Sequence, residues 1–227
     1  MNIISWNLGL TCEKFRRIFM GIKCNIKTSV DKISTKILKY DADVYMFQEV
    51  MYGFNRLNEN INKTYPYHFY VEYLGLAVFS KTPINPITYN LLPKDWFNYI
   101  LGFSNGYMIS YLPKHNKYVC NIHLSCGFRL SGQFTEIDKL IKEVKALSDK
   151  IDCIIGGDFN FTREKFNSFS NHYNVVNDEN NREISYHYFF NINLDYLLCK
   201  TDKYIKELKW NTIKTYESDH LPIVSLC

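Results

Sequence analysis

The sequence predicts an α/β protein in which helices cover the faces of a β-sheet core. Three observations point there. Short apolar runs of strand length recur along the whole chain. Between them lie stretches whose apolar residues step by three or four, the spacing of one helix face. Hydrophobic residues make up 46% of the 227, with 18 Tyr and 16 Phe, enough to fill a large core and to argue against disorder. The order of elements fits a sheet with helices on its faces without fixing the topology. A chain of this length accommodates one large domain or two small ones.

Taken in order, NIISW (2–6) reads as a first strand. Ser29 is placed to cap a helix whose apolar positions are Val30, Ile33, Ile37 and Leu38. ADVYMFQEV (42–50) reads as a buried strand ending in Gln48 and Glu49. LGLAVFSK (74–81) is a strand closed by Pro83 and Pro86. KYVCNIHLS (117–125) is a strand that ends near His123. The clearest helix follows: Phe134, Ile137, Leu140, Ile141, Val144 and Leu147 share one face, with Lys and Glu on the other. DCIIGGD (152–158), LDYLLCK (194–200) and HLPIVSL (220–226) are the last three strands.

Bulk properties exclude several classes. The net charge of +4 is too small to name a partner. Seven Cys occur with no C-x-x-C pair, which argues against a zinc knuckle. Cys120, Cys153 and Cys199 sit in apolar runs and read as buried thiols. The odd cysteine count and an opening, MNIISWN, without a charged leader suggest an intracellular, reducing location. No stretch approaches the ~20 apolar residues of a membrane span.

The chemistry gathers at strand ends. Asn7, Glu49, His123, Asp158 with Asn160, Asp195, and Asp219 with His220 each lie at or beside the end of a short apolar run. Any one of them alone has a structural explanation, such as a turn cap or a core histidine. Together they do not, because strand ends converge on a rim where ligands bind. Carboxylates crowded on one rim repel unless a cation neutralises them. Oxygen donors with little Cys suit a hard ion, Mg²⁺ above all. Histidines beside them offer acid–base groups near neutral pH. That combination is what phosphoester hydrolysis requires.

The strings SWN, FQEV, NIHLS, GGDFN, LDYLL and SDHLP occur in this order from Asn7 to His220. They resemble the motif series of the endonuclease/exonuclease/phosphatase superfamily, the deoxyribonuclease I-like proteins. The resemblance implies a four-layer α/β sandwich, with two mixed β-sheets packed face to face and helices outside, and one catalytic domain over 1–227. It implies Mg²⁺, with Mn²⁺ as substitute. Glu49 would be the main metal ligand, supported by Asn7, with Asp219 as a second ligand or support. Asp158 would position or deprotonate the attacking water, and Asn160 would bind a phosphate oxygen. Asp195 would orient His220, which would act as base or hydrogen-bond donor. His123 would contact the phosphate or protonate the leaving group; independently of the resemblance, Glu72 is offered as its partner.

Two stretches bear on the substrate. Residues 11–39 hold eight Lys/Arg against two acids, among them Arg16 and Arg17. Lining the rim, that charge would suit nucleic acid; a solvated helix face accounts for it equally well. Residues 91–107 are rich in aromatics, including Trp96, Phe97, Tyr99, Phe103 and Tyr107, which suits base stacking, a lipid surface or plain core. The expectation is a monomeric phosphodiester hydrolase with nucleic acid favoured. A sphingomyelinase-like or inositol headgroup enzyme with peripheral membrane contact is the alternative, and a non-catalytic binding module is the second.

Overall fold

The computed structural model describes residues 1–10, 26–92, 105–125, 130–147, 151–176, 184–186, 192–215 and 217–227, and the backbone alone of 26–27 and 130–134. The strands are β1 (Asn2–Asn7), β2 (Val44–Gln48), β3 (Tyr67–Val71), β4 (Leu76–Ser80), β5 (Asn85–Leu91), β6 (Gly106–Leu112), β7 (Lys117–His123), β8 (Cys153–Asp158), β9 (Val175–Val176), β10 (Asp195–Lys200), β11 (Ile205–Glu207), β12 (Asn211–Thr212) and β13 (Ile223–Leu226). The helices are α1 (Ile26–Tyr40), α2 (Phe54–Ile61), α3 (Leu130–Leu147) and α4 (Arg163–Tyr173).

Two mixed sheets form. The first has six strands in the order β12-β13-β1-β2-β4-β3, and the second seven in the order β5-β6-β7-β8-β10-β11-β9. Each is built around a parallel pair, β1 with β2 and β7 with β8, and each pair is joined by a crossover containing a helix, α1 or α3. Three apolar layers result. Val30, Ile33 and Ile37 of α1 and Leu57 and Ile61 of α2 cover Ile4, Trp6, Tyr45 and Phe47 on the outer face of the first sheet. Ile137, Leu140, Ile141 and Val144 of α3 and Phe166 and Phe169 of α4 cover Cys120, Ile122, Ile155 and Tyr196 on the outer face of the second. Between the sheets lie Ile3, Val44, Met46, Val78, Val119, Ile154, Leu197 and Ile223. The four-layer sandwich expected from the motif resemblance is therefore what the chain forms.

Several local expectations change. Ser29 lies inside α1, which begins three residues earlier. Leu38 is 41% exposed, because it falls at the margin of the stripe carrying Val30, Ile33 and Ile37. Pro86 belongs to β5 itself. It sits beside a bulge on an edge strand, where a missing N–H is tolerated. Glu136 turns inward on α3 and is buried, where it accepts from the Ser125 N–H. Cys120, Cys153 and Cys199 are buried free thiols, and burial pushes all three above the usual thiol range. Among the described residues no helix is long and apolar enough to cross a membrane.

Candidate active site

Strand alternation explains how the site is assembled. On β1 the residues facing the other sheet are Ile3, Ser5 and Asn7; on β2 they are Val44, Met46 and Gln48. On β7 the same face carries Val119, Asn121 and His123, and on β8 it carries Ile154, Gly156 and Asp158. Each file starts apolar and ends polar, with Ser5 and Asn121 already polar midway on β1 and β7 and Met46 and Gly156 in the same place on β2 and β8. Register fixes the neighbours: His123 and Asp195 both lie opposite Asp158, and Asn7 lies opposite Gln48.

Two glycines let the second sheet close on this rim. A Cβ on Gly157 would fall 1.9 Å from the Ile122 carbonyl oxygen, and its φ of 149° is one that side-chain-bearing residues rarely adopt. A Cβ on Gly156 would press on Met46 of the facing sheet and on Leu197 of neighbouring β10. Past Asp158 the chain turns through Asn160, whose φ is 51° and whose backbone N–H donates to Asp158 Oδ1 at 2.8 Å. The alternate residues, Phe159 and Phe161, are buried beneath α4 with Phe166, Phe169 and Tyr196.

The polar groups form one continuous chain. Asn7 Nδ2 donates to Glu49 Oε1 at 3.2 Å and to Asp158 Oδ2 at 2.9 Å, while its Oδ1 accepts from the Gly9 N–H. His123 Nε2 lies 3.8 Å from both Glu49 Oε1 and Asp158 Oδ2. His220 Nδ1 pairs with Asp195 Oδ2 at 2.8 Å, and its Nε2 faces Asp158 Oδ2 at 3.7 Å. Asn160 Nδ2 donates to the Leu124 carbonyl. Ser218 Oγ donates to the Asn7 carbonyl and accepts from the His220 N–H, so the loop before β13 is anchored to the end of β1. Tyr186 bridges to His220 through the backbone and sets its ring edge-on to the imidazole at 5.0 Å. The Asp195 N–H is held by Ser185 Oγ.

Electrostatics separate the members. Burial, reinforced by the charge of Asp195, pushes the Asp158 carboxyl up to about 6 against the pull of His220 and His123. Burial alone would lower the His220 imidazole. The charges of Asp195 and Asp158, the Asp195 hydrogen bond and Asp219 outweigh it and hold the ring up to about 10. Asp158, Asp195 and His220 come within 4.8 Å of one another, close enough to hold an ion. One ring nitrogen and one carboxylate of that trio are already joined by a short hydrogen bond, so they serve better as an oriented pair. The donors that suit a hard cation are on the other side. The Glu49 side chain is 21% exposed toward the cleft beside Asn7, whereas Asp158 is 3% exposed. In this arrangement Asn7 directs its nitrogen, not its oxygen, at Glu49.

Of the residues singled out from sequence, Asn7, Glu49, His123, Asp158, Asn160, Asp195 and His220 come together here. Asp219 adjoins them through Ser218 Oγ, at 3.2 Å. Glu72 is exposed on the turn after β3, and the carboxylates beside His123 are Glu49 and Asp158, which corrects its suggested partner. Arg16, Arg17, Trp96, Phe97, Tyr99 and Phe103 lie outside the described residues. Tyr107 is core. Sequence reading missed Gln48 and Asn121 as buried partners beneath the site, and Ser185, Tyr186 and Ser218 around His220. Gln48, Asn121 and Ser218 lay within the motifs, at places whose inward direction only the register reveals.

A profile of the Endonuclease/Exonuclease/phosphatase family matches residues 4–220. The chain belongs to this family. Its fold is shared by solved structures of low identity. A double mutant of beta toxin from Staphylococcus aureus with bound magnesium ions aligns at a TM-score of 0.75 and 18% identity, covering 98% of each chain. An endonuclease/exonuclease/phosphatase family protein from Bacteroides thetaiotaomicron aligns at 0.70 and 12%, covering 99% of this chain and 96% of that one. TDP2 of D. rerio complexed with a single-strand DNA product aligns at 0.67 and 12%, covering 99% and 97%. Comparison with curated protein sequences finds no significant match.

Proposed function

We propose that this protein is a single-domain, Mg²⁺-dependent phosphodiester hydrolase with nucleic acid as its favoured substrate. The observation that carries this reading is the unbroken run Glu49–Asn7–Asp158–His220–Asp195, with His123 beside Glu49 and Asp158, across one cleft. Glu49, Asn7 and Asp219 would hold the ion. The ion would neutralise phosphoryl oxygens and the charge that develops on them.

The chain's own groups supply the rest. Asp158 Oδ2 stands among Asn7 Nδ2, His123 Nε2 and His220 Nε2 and would orient or deprotonate a water. His220 presents Nε2 to the same point, its ring fixed by Asp195. His123, whose Nε2 lies beside Glu49 and Asp158, would contact the phosphate or protonate the leaving group. One hydrogen of the Asn160 amide is taken by Leu124, and the second is free to meet a phosphate oxygen.

The similarity to TDP2 with its DNA product supports nucleic acid. An observation favouring a lipid headgroup instead is the exposed set Tyr73, Ile87, Tyr89 and Leu91 near the end of β5. The test is turnover with Mg²⁺, Mn²⁺ or EDTA on single-stranded DNA, RNA, phospholipid vesicles and inositol phosphates. Hydrolysis of DNA or RNA that EDTA abolishes is the expected result. Turnover confined to vesicles would replace the substrate assignment, and full turnover in EDTA would overturn the mechanism.

A further inference from the structure

The cleft is divided between two separate sheets. Asn7 and Glu49 belong to the first; His123, Asp158 and Asp195 belong to the second. The layer that joins these sheets is mostly apolar. Apolar packing is non-directional, so by itself it does not fix one sheet against the other at the tolerance chemistry requires.

Asn121 supplies direction. It projects from β7 of the second sheet, two residues before His123, and is fully buried. Its Nδ2 donates to the carbonyls of Phe47 at 2.9 Å and Ala77 at 3.0 Å, on adjacent strands of the first sheet. Those two bonds fix the orientation of its amide, so its Oδ1 must be the acceptor for Gln48 Nε2, at 2.7 Å. Gln48, also fully buried, donates to Ser5 Oγ on β1 as well, and immediately precedes Glu49. The tie therefore joins β7 to β1, β2 and β4. It lies one residue from Glu49 on one side, and two from Asn7 and His123 on the others.

We infer that Asn121 and Gln48 are a positioning pair that sets the spacing of the two half-sites across the sheet interface. This rests on the phosphodiester-hydrolase reading for its kinetic consequence, though not for its geometry. Both Asn121 amide hydrogens and its oxygen are bonded in this one arrangement, and only Gln48 Oε1 is buried without a partner among the described residues, whereas the surrounding Val and Ile side chains have several arrangements of similar energy. Glu49, whose φ is 54°, also needs a surrounding frame to hold it in that uncommon conformation.

The test compares Asn121→Leu and Gln48→Met with Val119→Ala. Val119 is on the same strand and face, two residues further from the cleft, and packs without polar contacts. Each variant is assayed below its own Tm with Mg²⁺ and bis(4-nitrophenyl) phosphate. The Asn7 side-chain amide is followed by NMR in protein without Mg²⁺ or substrate.

Asn121→Leu is expected to lower kcat by about 10²-fold, and Gln48→Met to lower it less, with the Asn7 amide signal shifted in both. Val119→Ala should lose a comparable amount of Tm and keep its kcat. A folded Asn121→Leu with wild-type kcat, or kcat losses that follow Tm equally in Val119→Ala, overturns the inference. If Asn121→Leu does not fold, Gln48→Met decides by the same criterion. If the wild-type protein hydrolyses no phosphodiester, the functional reading fails and the NMR signal alone decides. An Asn7 amide unmoved in both variants then removes the positioning role.

Discussion

The two parallel strand pairs are built alike and finish differently. β1 ends in Asn7 and β2 leads directly into Glu49; β7 and β8 end in His123 and Asp158. Glu49 reaches the rim in a left-handed conformation, with its side chain partly open to the cleft. Asp158 reaches it on Gly156 and Gly157 and is almost completely buried. A carboxylate open to solvent can exchange waters and an ion at modest cost. A buried one has its charge governed by its neighbours, which suits handling of protons. Under the proposed function the same supersecondary unit would provide an ion-holding half and a proton-handling half, whose two carboxylates differ in exposure.

The largest expected effect breaks the first half alone. Chelation should abolish activity, and Glu49→Gln should raise the Mg²⁺ concentration needed while leaving Tm nearly unchanged, as read by titration and thermal melts. Activity unaffected by EDTA would remove the distinction between the halves. Breaking the second half should cost somewhat less. His220→Ala is expected to lower kcat/KM by about 10²-fold or more, with Mg²⁺ affinity largely kept. Asp195→Asn should follow at about tenfold or more, because the ring loses the partner that orients it. Near-normal turnover in His220→Ala would mean that this half does not handle protons.

A third comparison concerns the frame of the buried half. Alanine at 157 meets a backbone carbonyl that cannot yield, at a φ unfavourable to any side chain. Alanine at 156 meets the ends of Met46 and Leu197, which can. Gly157→Ala should destabilise by roughly 3 kcal/mol or more and Gly156→Ala by about 1–3 kcal/mol, measured by denaturant unfolding. The reverse order would place the tight contact between the sheets, not within the second one.

Much of this was legible before any coordinates. Strands whose apolar runs are buried on both faces, such as 42–50 and 152–158, announce themselves by composition, and the strand-end polar residues gave the rim. β3 and β5 escaped notice because each is an edge strand with alternating or exposed residues, including Tyr67, Ile87 and Tyr89. The helices α2 and α4 are short, with eight and eleven residues, and rich in polar side chains, so only a few apolar positions mark each of them. Gln48 and Asn121 were hidden for another reason. A polar residue inside an apolar run has meaning only once the partner across the sheet interface is known. The pairing of His123 depended on register in the same way: Glu72 is closer to the motif in character than in space.

The smallest expected effect concerns what each half presents to a substrate. The first half passes at Leu10, whose N–H donates to the Glu49 carbonyl, into residues 11–25, which carry Lys14, Arg16, Arg17 and Lys23. The second is flanked by β6, whose Gly106 pairs with His123 and follows, after Asn105, the aromatic run 93–104 with Trp96, Phe97, Tyr99 and Phe103. If nucleic acid is the substrate, the basic stretch should contribute phosphate contacts, and each contact adds about 0.7 to 0.9 to the negative log–log slope of affinity against salt. Replacing Arg16 and Arg17 together with Ala should therefore flatten the salt dependence of single-stranded DNA binding by about 1.4 for two contacts, without changing the Mg²⁺ requirement. Replacing Trp96 and Phe97 with Ala should leave that slope unchanged and reduce affinity through lost base stacking. A lipid-headgroup enzyme would give the opposite pattern: the arginine pair would not alter DNA binding, and the aromatic pair would abolish hydrolysis of phospholipid vesicles while sparing a soluble phosphodiester. That second pattern would move the substrate-recognising surface from the ion-holding half of the site to the proton-handling half.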